Sequence, residues 1–185
     1  MSESHECGAL SVNPYHLPPG KKPPTQITCI VEIPKGSRNK YEFDVKSGLM
    51  KLDRPLYSPM HYPGDYGFIP GTLADDGDPL DIIVLMSEPS FPGCLIHCRP
   101  LGVLVMKDEK GADEKILAVP ESDPSYETYH ELRDVAPHFL RSMDHFFRIY
   151  KELEGKEVTS MGWQDCWMAE KIITDCITAA KKKNG

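Results

Sequence analysis

From Pro137 onward, apolar residues recur at spacings of three and four: Phe139, Leu140, Met143, Phe146, Phe147, Tyr150 and Leu153. This period places them on one face of a helix. With Pro137 near the start and Gly155 just past the end, it predicts an amphipathic helix over 137–153. A second stripe, Cys166, Ala169, Ile173, Cys176 and Ala180, predicts a helix over 163–183. The lysines at 181–183 suit the negative end of its dipole. Upstream the period is two. Tyr41, Phe43 and Val45 alternate with Lys40, Glu42 and Asp44, so 40–45 reads as a strand with one dry and one charged side. Residues 26–33 are rich in β-branched side chains and end at Pro34, and further strands are predicted at 81–86, 94–98, 101–107 and 116–119. Between them, 54–72 carries enough Pro and Gly to be a shaped loop or short strands. About seven short strands followed by two helices predict an α+β domain built on a closed or nearly closed β-barrel.

Five prolines before residue 25 predict an N-terminal arm over 1–24 without regular structure, and 25–185 is expected to form one domain, long enough for a sizeable core. A net charge of −7 offers phosphate backbones no overall positive field, which argues against nucleic-acid binding. The longest purely apolar run is Ile82–Met86, too short to span a membrane. Neither a secretory signal nor an Arg-rich transit peptide is visible in the first residues. The six cysteines, at 7, 29, 94, 98, 166 and 176, form no C-x-x-C pair, which reads as free thiols in a reducing cytosol.

The densest acidic stretch is Asp75-Asp76-Gly77-Asp78-Pro79-Leu80-Asp81. Gly77 permits a tight turn and Pro79 fixes its own φ, so Asp76, Asp78 and Asp81 are held in a short, stiff loop where they repel unless a cation lies among them. The EF-hand template fails: counted from Asp76, its fifth, sixth and twelfth positions hold Leu80, Asp81 and Ser87. An aspartyl nucleophile would want its apolar strand before the acids, whereas here the strand follows them. Taken alone, the stretch could be a solvated turn. The second acidic group, 108–115, taken alone reads as a charged hairpin tip. The picture changes when both are counted with Lys40, Arg54, Tyr62, Tyr66, Lys115, Tyr150 and Lys151. Carboxylates that hold Mg²⁺, with Lys, Arg and Tyr donors for phosphate oxygens, are what phosphoryl chemistry needs. No G-K-[ST] phosphate loop is present.

These segments resemble the family I soluble inorganic pyrophosphatases of the short prokaryotic or plant type. The D-G-D-P-L-D motif stands at Asp76–Asp81, V-E-I-P carries Glu32, and N-K-Y-E carries Lys40 and Glu42. D-R carries Arg54, Y-P-x-x-Y-G carries Tyr62 and Tyr66, D-E-x-G-x-D-x-K carries Asp108, Asp113 and Lys115, and Tyr150-Lys151 completes the set. The resemblance runs from about residue 25 to about 155, and more weakly beyond. It implies an OB-like five-stranded barrel with additional short strands and two main flanking C-terminal helices. The implied reaction is hydrolysis of Mg²⁺-complexed pyrophosphate to two phosphates in a cytoplasmic homohexamer. Carried over residue by residue, Asp76, Asp81, Asp108 and Asp113 hold metal, with Glu32 and Glu42 in the outer shell. Asp78 accepts the proton of the attacking water, and Lys40, Arg54, Lys115, Tyr66, Tyr150 and Lys151 spread over the phosphates.

Two rival readings use the same residues: a phosphohydrolase acting on nucleotides or other phosphate esters, and a module that sequesters pyrophosphate or a divalent ion without turnover. Retention of Asp78, a spare proton acceptor, favours turnover. His61, His97 and His145 lack metal-ligand spacing and read as packing or interface residues. The hexameric relatives place a second His one turn after His145, where this chain has Ile149.

Overall fold

The computed structural model describes residues 13–109 and 111–184, so Cys7, the start of the arm and Lys110 lie outside it. Nine strands and two α-helices follow in order: β1 (Ile27–Ile33), β2 (Asn39–Asp44), β3 (Leu49–Pro55), β4 (Asp65–Phe68), β5 (Asp81–Val84), β6 (Leu95–Asp108), β7 (Gly111–Ala112), β8 (Lys115–Pro120), α1 (Pro137–Ile149), β9 (Thr159–Gln164) and α2 (Cys166–Asn184). Five of them close a ring, β1-β4-β5-β8-β6 and back to β1, antiparallel throughout except where β5 and β8 run parallel. This is the five-stranded barrel of the expected α+β, OB-like fold. Strands β7 and β9 add to β6, and β2 and β3 form a separate hairpin.

The ring strands are covered on both faces, which explains why β8 is buried along its whole length. Ile83, Leu104 and Leu117 pack with Met143, Phe146 and Phe147 of α1. Their sequence neighbours Ile82, Val103, Ile116 and Ala118 pack with Ala169 and Ile173 of α2. Period-two alternation therefore sends neighbouring residues of one strand to two different apolar clusters. Strand β4 lies so close to β1 that a Cβ on Gly67 would sit 1.9 Å from the Ile30 carbonyl oxygen, and only glycine fits there.

Several boundaries differ from the sequence reading. The strands expected at 94–98 and 101–107 are one, β6, whose register shifts between Pro100 and Gly102 instead of breaking. Proline interrupts the ladder there without ending the strand. Strands β3 and β9 were not anticipated. Trp163 belongs to β9, and α2 begins only at Cys166, where Asp165 accepts the Met168 N–H at 3.0 Å as an N-cap. Helix α1 ends at Ile149, so Tyr150 is its C-cap and Lys151 lies just beyond. A short 3-10 turn, Glu152–Glu154, then stops at Gly155, whose φ of 72° is left-handed. Of the arm, Pro14–His16 forms a 3-10 turn, and Thr28 N–H donates to the Pro19 carbonyl at 2.8 Å, so this stretch runs against the barrel. No helix among the described residues is long and apolar enough to cross a membrane.

Candidate active site

The two acidic segments meet because of strand register. Asp81 opens β5 and Lys115 opens β8, and in this parallel pair the two residues are register partners. Asp108 closes β6, and the β6–β7 turn brings the chain back so that Asp113 N–H donates to the Met106 carbonyl at 2.9 Å, just ahead of Lys115. Asp76 and Asp78 sit on the exposed turn before β5. Gly77 adopts φ 92° there, and the Asp78 N–H donates to Asp76 Oδ1 at 3.1 Å. The hairpin leans over the same mouth with Lys40 and Arg54 directly opposed across its strands. Like charges so placed destabilise a hairpin, so the pair is retained at a cost that neighbouring acids offset.

The result is a cavity of about 430 Å³. Glu32, Lys40, Glu42, Arg54, Tyr66, Asp76, Asp78, Asp81, Asp108, Asp113, Lys115, Tyr150 and Lys151, residues expected from the sequence at a site, all line it. Tyr62 does not. It lies buried behind the wall, its ring 5.4 Å from Tyr66 and 6.4 Å from Tyr150, and so supports the phenols that do face the cavity. The sequence reading missed Tyr15, Asp53, Glu109 and Lys156, which line the cavity, and Glu154, which grips Arg54. Asp53 was within reach, standing in the quoted D-R pair. Tyr15 had no local signal.

The acids are held by the chain's own cations. Lys115, with only 1% of its side chain exposed, donates to Asp81 Oδ2 and Asp113 Oδ1, each at 2.7 Å, and lies 3.3 Å from the Tyr66 hydroxyl, which itself donates to Asp81. Burial alone would discharge this ammonium, but Asp81 and Asp113 outweigh it and the Lys115 pKa rises. Burial likewise opposes charge on Lys151, yet Tyr150 and Asp113 help raise its pKa, and it reaches Asp108 at 3.1 Å. Arg54 is clasped two-fold by Glu154, Nε to Oε1 at 3.0 Å and Nη2 to Oε2 at 2.6 Å, and also pairs with Asp53. Lys40 pairs with Glu42 and lies 3.4 Å from Asp53. Glu32 is pushed up to about 7, chiefly by burial, although the Phe43 N–H donating to it at 2.9 Å works the other way.

Among the described residues, no three His, Cys, Asp or Glu side chains converge closely enough to cage a metal as they stand. The ammonium of Lys115 is the cation between Asp81 and Asp113. The donor chemistry nevertheless fits Mg²⁺. Four aspartates on one cavity supply hard carboxylate oxygens, and no soft ligand competes among the lining residues.

Comparison with known proteins points to one family. Residues 29–181 match a family model described as inorganic pyrophosphatase. The chain is 52% identical over 157 residues to an inorganic pyrophosphatase of Methanosarcina acetivorans, covering 85% of this chain and 94% of that one. It is 51% identical over 163 residues to one from a Nostoc species, covering 88% and 96%. Its fold is similar to the crystal structure of inorganic pyrophosphatase from Thermus thermophilus, with a TM-score of 0.89 and 43% identity over 92% of this chain and 99% of that one.

Proposed function

Since this chain belongs to the inorganic pyrophosphatase family and is accordingly a diphosphatase, we propose that it works by direct, Mg²⁺-dependent attack of water with Asp78 as proton acceptor. The observation that carries the reading is the gathering of six aspartates and eight Lys, Arg and Tyr residues around one cavity of about 430 Å³. Bound to Asp76, Asp81, Asp108 and Asp113, Mg²⁺ would supply an acidified water and neutralise charge on the phosphates.

The chain's own residues do the rest. Asp78, on the exposed turn and outside that ligand set, takes the proton of the attacking water. Glu32 and Glu42 line the same cavity from β1 and β2. Lys40 and Arg54 approach from the hairpin, Lys115 and Tyr66 from the barrel floor, and Tyr150 and Lys151 from the end of α1. Together they hold both phosphates in line for attack. These four cations each have a carboxylate partner, so binding the phosphates would mean exchanging partners. We place the enzyme in the cytoplasm as a homohexamer. The resemblance suggests that assembly, and Asp144 Oδ1 on α1, buried without a hydrogen-bond partner among the described residues, is a group that a neighbouring subunit would satisfy.

The test is phosphate release from pyrophosphate, ATP and p-nitrophenyl phosphate, each with Mg²⁺ and with EDTA. Rapid, Mg²⁺-dependent release from pyrophosphate alone is expected. Comparable turnover of ATP would replace this reading with a nucleotide phosphohydrolase, and pyrophosphate binding without release would replace it with a sequestering module.

A further inference from the structure

One part of the cavity wall comes from neither barrel nor hairpin. Tyr15 lines it from the 3-10 turn Pro14–His16, ahead of the first strand. The turn is closely fixed: Asn13 Oδ1 accepts the Tyr15 N–H at 3.0 Å, and the Tyr15 carbonyl accepts the Gly71 N–H at 3.1 Å. Its ring packs edge-on against Phe68 of β4, centroids 4.7 Å apart, and at a tilt against Phe43 of β2 at 5.7 Å. It is thus the aromatic bridge between a hairpin that belongs to no larger sheet and the barrel.

Both of its partners bear directly on acids of the site. The Phe43 backbone N–H donates to Glu32 Oε1 at 2.9 Å. Phe68 is the register partner of Asp81 across β4 and β5. We propose, resting on the reading of this cavity as the pyrophosphate-hydrolysing site, that Tyr15 is a positioning residue: its ring locks Phe43 to Phe68 and so fixes Glu32 and Asp81 relative to each other.

The cation end of the hairpin has a separate tether, the two-fold Arg54–Glu154 pair. Loss of the Tyr15 ring therefore disturbs the acid end while the donors that grip the phosphates keep their anchor. A misplacement at the acids slows the chemical step and leaves substrate affinity nearly unchanged. The ring does this, not the hydroxyl, because the contacts that define the bridge are ring on ring.

The experiment measures steady-state kinetics on Mg²⁺-pyrophosphate for wild type, Tyr15→Ala and Tyr15→Phe. Tyr15→Ala should lower kcat by about tenfold with KM within about twofold of wild type, and Tyr15→Phe should restore kcat to within about twofold. Should Tyr15→Ala unfold below the assay temperature, Tyr15→Leu is judged by the same split. The inference is overturned if the ring-deleted variant keeps its kcat, if its KM rises by more than its kcat falls, or if Tyr15→Phe is as impaired as Tyr15→Ala. A wild type that releases no phosphate from pyrophosphate overturns the functional reading itself, an outcome visible before any variant is compared.

Discussion

Lys115→Met removes the cation at the centre of the site while leaving most of the side chain's volume in place, so its effect reports charge and not packing. The ammonium pairs with Asp81 and Asp113 at 2.7 Å each. Deleting one partner of a buried ion pair costs about 3–5 kcal/mol, because the remaining charges lose their compensation. Asp81 keeps 30% of its side chain exposed and Asp113 15%, so water relieves part of this and the lower end, about 3 kcal/mol, is the better expectation. For a chain of this size that corresponds to a Tm lowered by roughly 6–12 °C. The carboxylates left facing each other also become a better cation site, since Mg²⁺ no longer competes with the lysine. Wild type gains stability from Mg²⁺ as well, so the deficit shrinks by RT ln of the ratio of the two dissociation constants: a variant that binds Mg²⁺ about tenfold tighter recovers about 1.4 kcal/mol, roughly half the deficit, in saturating Mg²⁺. The assay is thermal unfolding of wild type and variant in EDTA and in excess Mg²⁺. An equal deficit in both conditions, or a variant as stable as wild type in EDTA, would refute the account of Lys115 as a stand-in cation.

Two further predictions follow from the same site. Asp78→Asn should lower kcat and kcat/KM together, by about 10² to 10⁴, and should not recover as Mg²⁺ is raised, whereas Asp81→Asn should recover part of its activity by mass action. A Mg²⁺ titration of rate at fixed Mg²⁺-pyrophosphate decides, and the opposite pattern would exchange the two roles. Glu32, at about 7 in the folded protein against 4.5 for the free side chain, binds more protons folded than unfolded across that window. In EDTA, stability should therefore fall as pH rises from about 5 to 7 and level off above it, with Glu32 accounting for at most about 3 kcal/mol. Glu32→Gln should flatten that slope and melt higher than wild type at pH 8. A slope unchanged by the substitution would assign it to other groups.

The sequence-legible part of this protein is the part whose chemistry demands fixed spacing. Asp76, Asp78 and Asp81 cannot move relative to one another without losing their shared turn, so they read as a unit, and Pro137 and Gly155 bracket a helical period that needs no tertiary knowledge. The missed elements have physical excuses. Strand β3 lies in the hairpin away from the barrel and is mostly exposed along both faces, so it has no buried face to produce alternation. Strand β9 carries Gly162 at φ 85°, which breaks its pattern in the middle. Tyr15 was hidden because prolines forbid long regular elements but not docking, and its partners Phe43 and Phe68 lie far along the chain. The pairing of Glu154 with Arg54, 100 residues apart, was invisible for the same reason.

The pairing pattern bears on how the site is loaded. Lys115 binds Asp81 and Asp113, Lys151 binds Asp108, and Lys40 binds Glu42, so the acids expected to hold metal and the cations expected to hold phosphate are each other's partners. A metal alone, in drawing Asp81 and Asp113 away, would leave Lys115 nearly buried and unpaired. Pyrophosphate alone, in drawing away Lys115, would leave the two carboxylates facing each other. Either half-exchange strands a desolvated charge, which is costly, whereas the simultaneous exchange strands none. Each ligand thus lowers the cost of accommodating the other. By thermodynamic reciprocity, the free energy by which metal strengthens pyrophosphate binding is the same as that by which pyrophosphate strengthens metal binding. If the site is loaded by this exchange, Lys115, paired with both Asp81 and Asp113, is the residue that couples the two ligands.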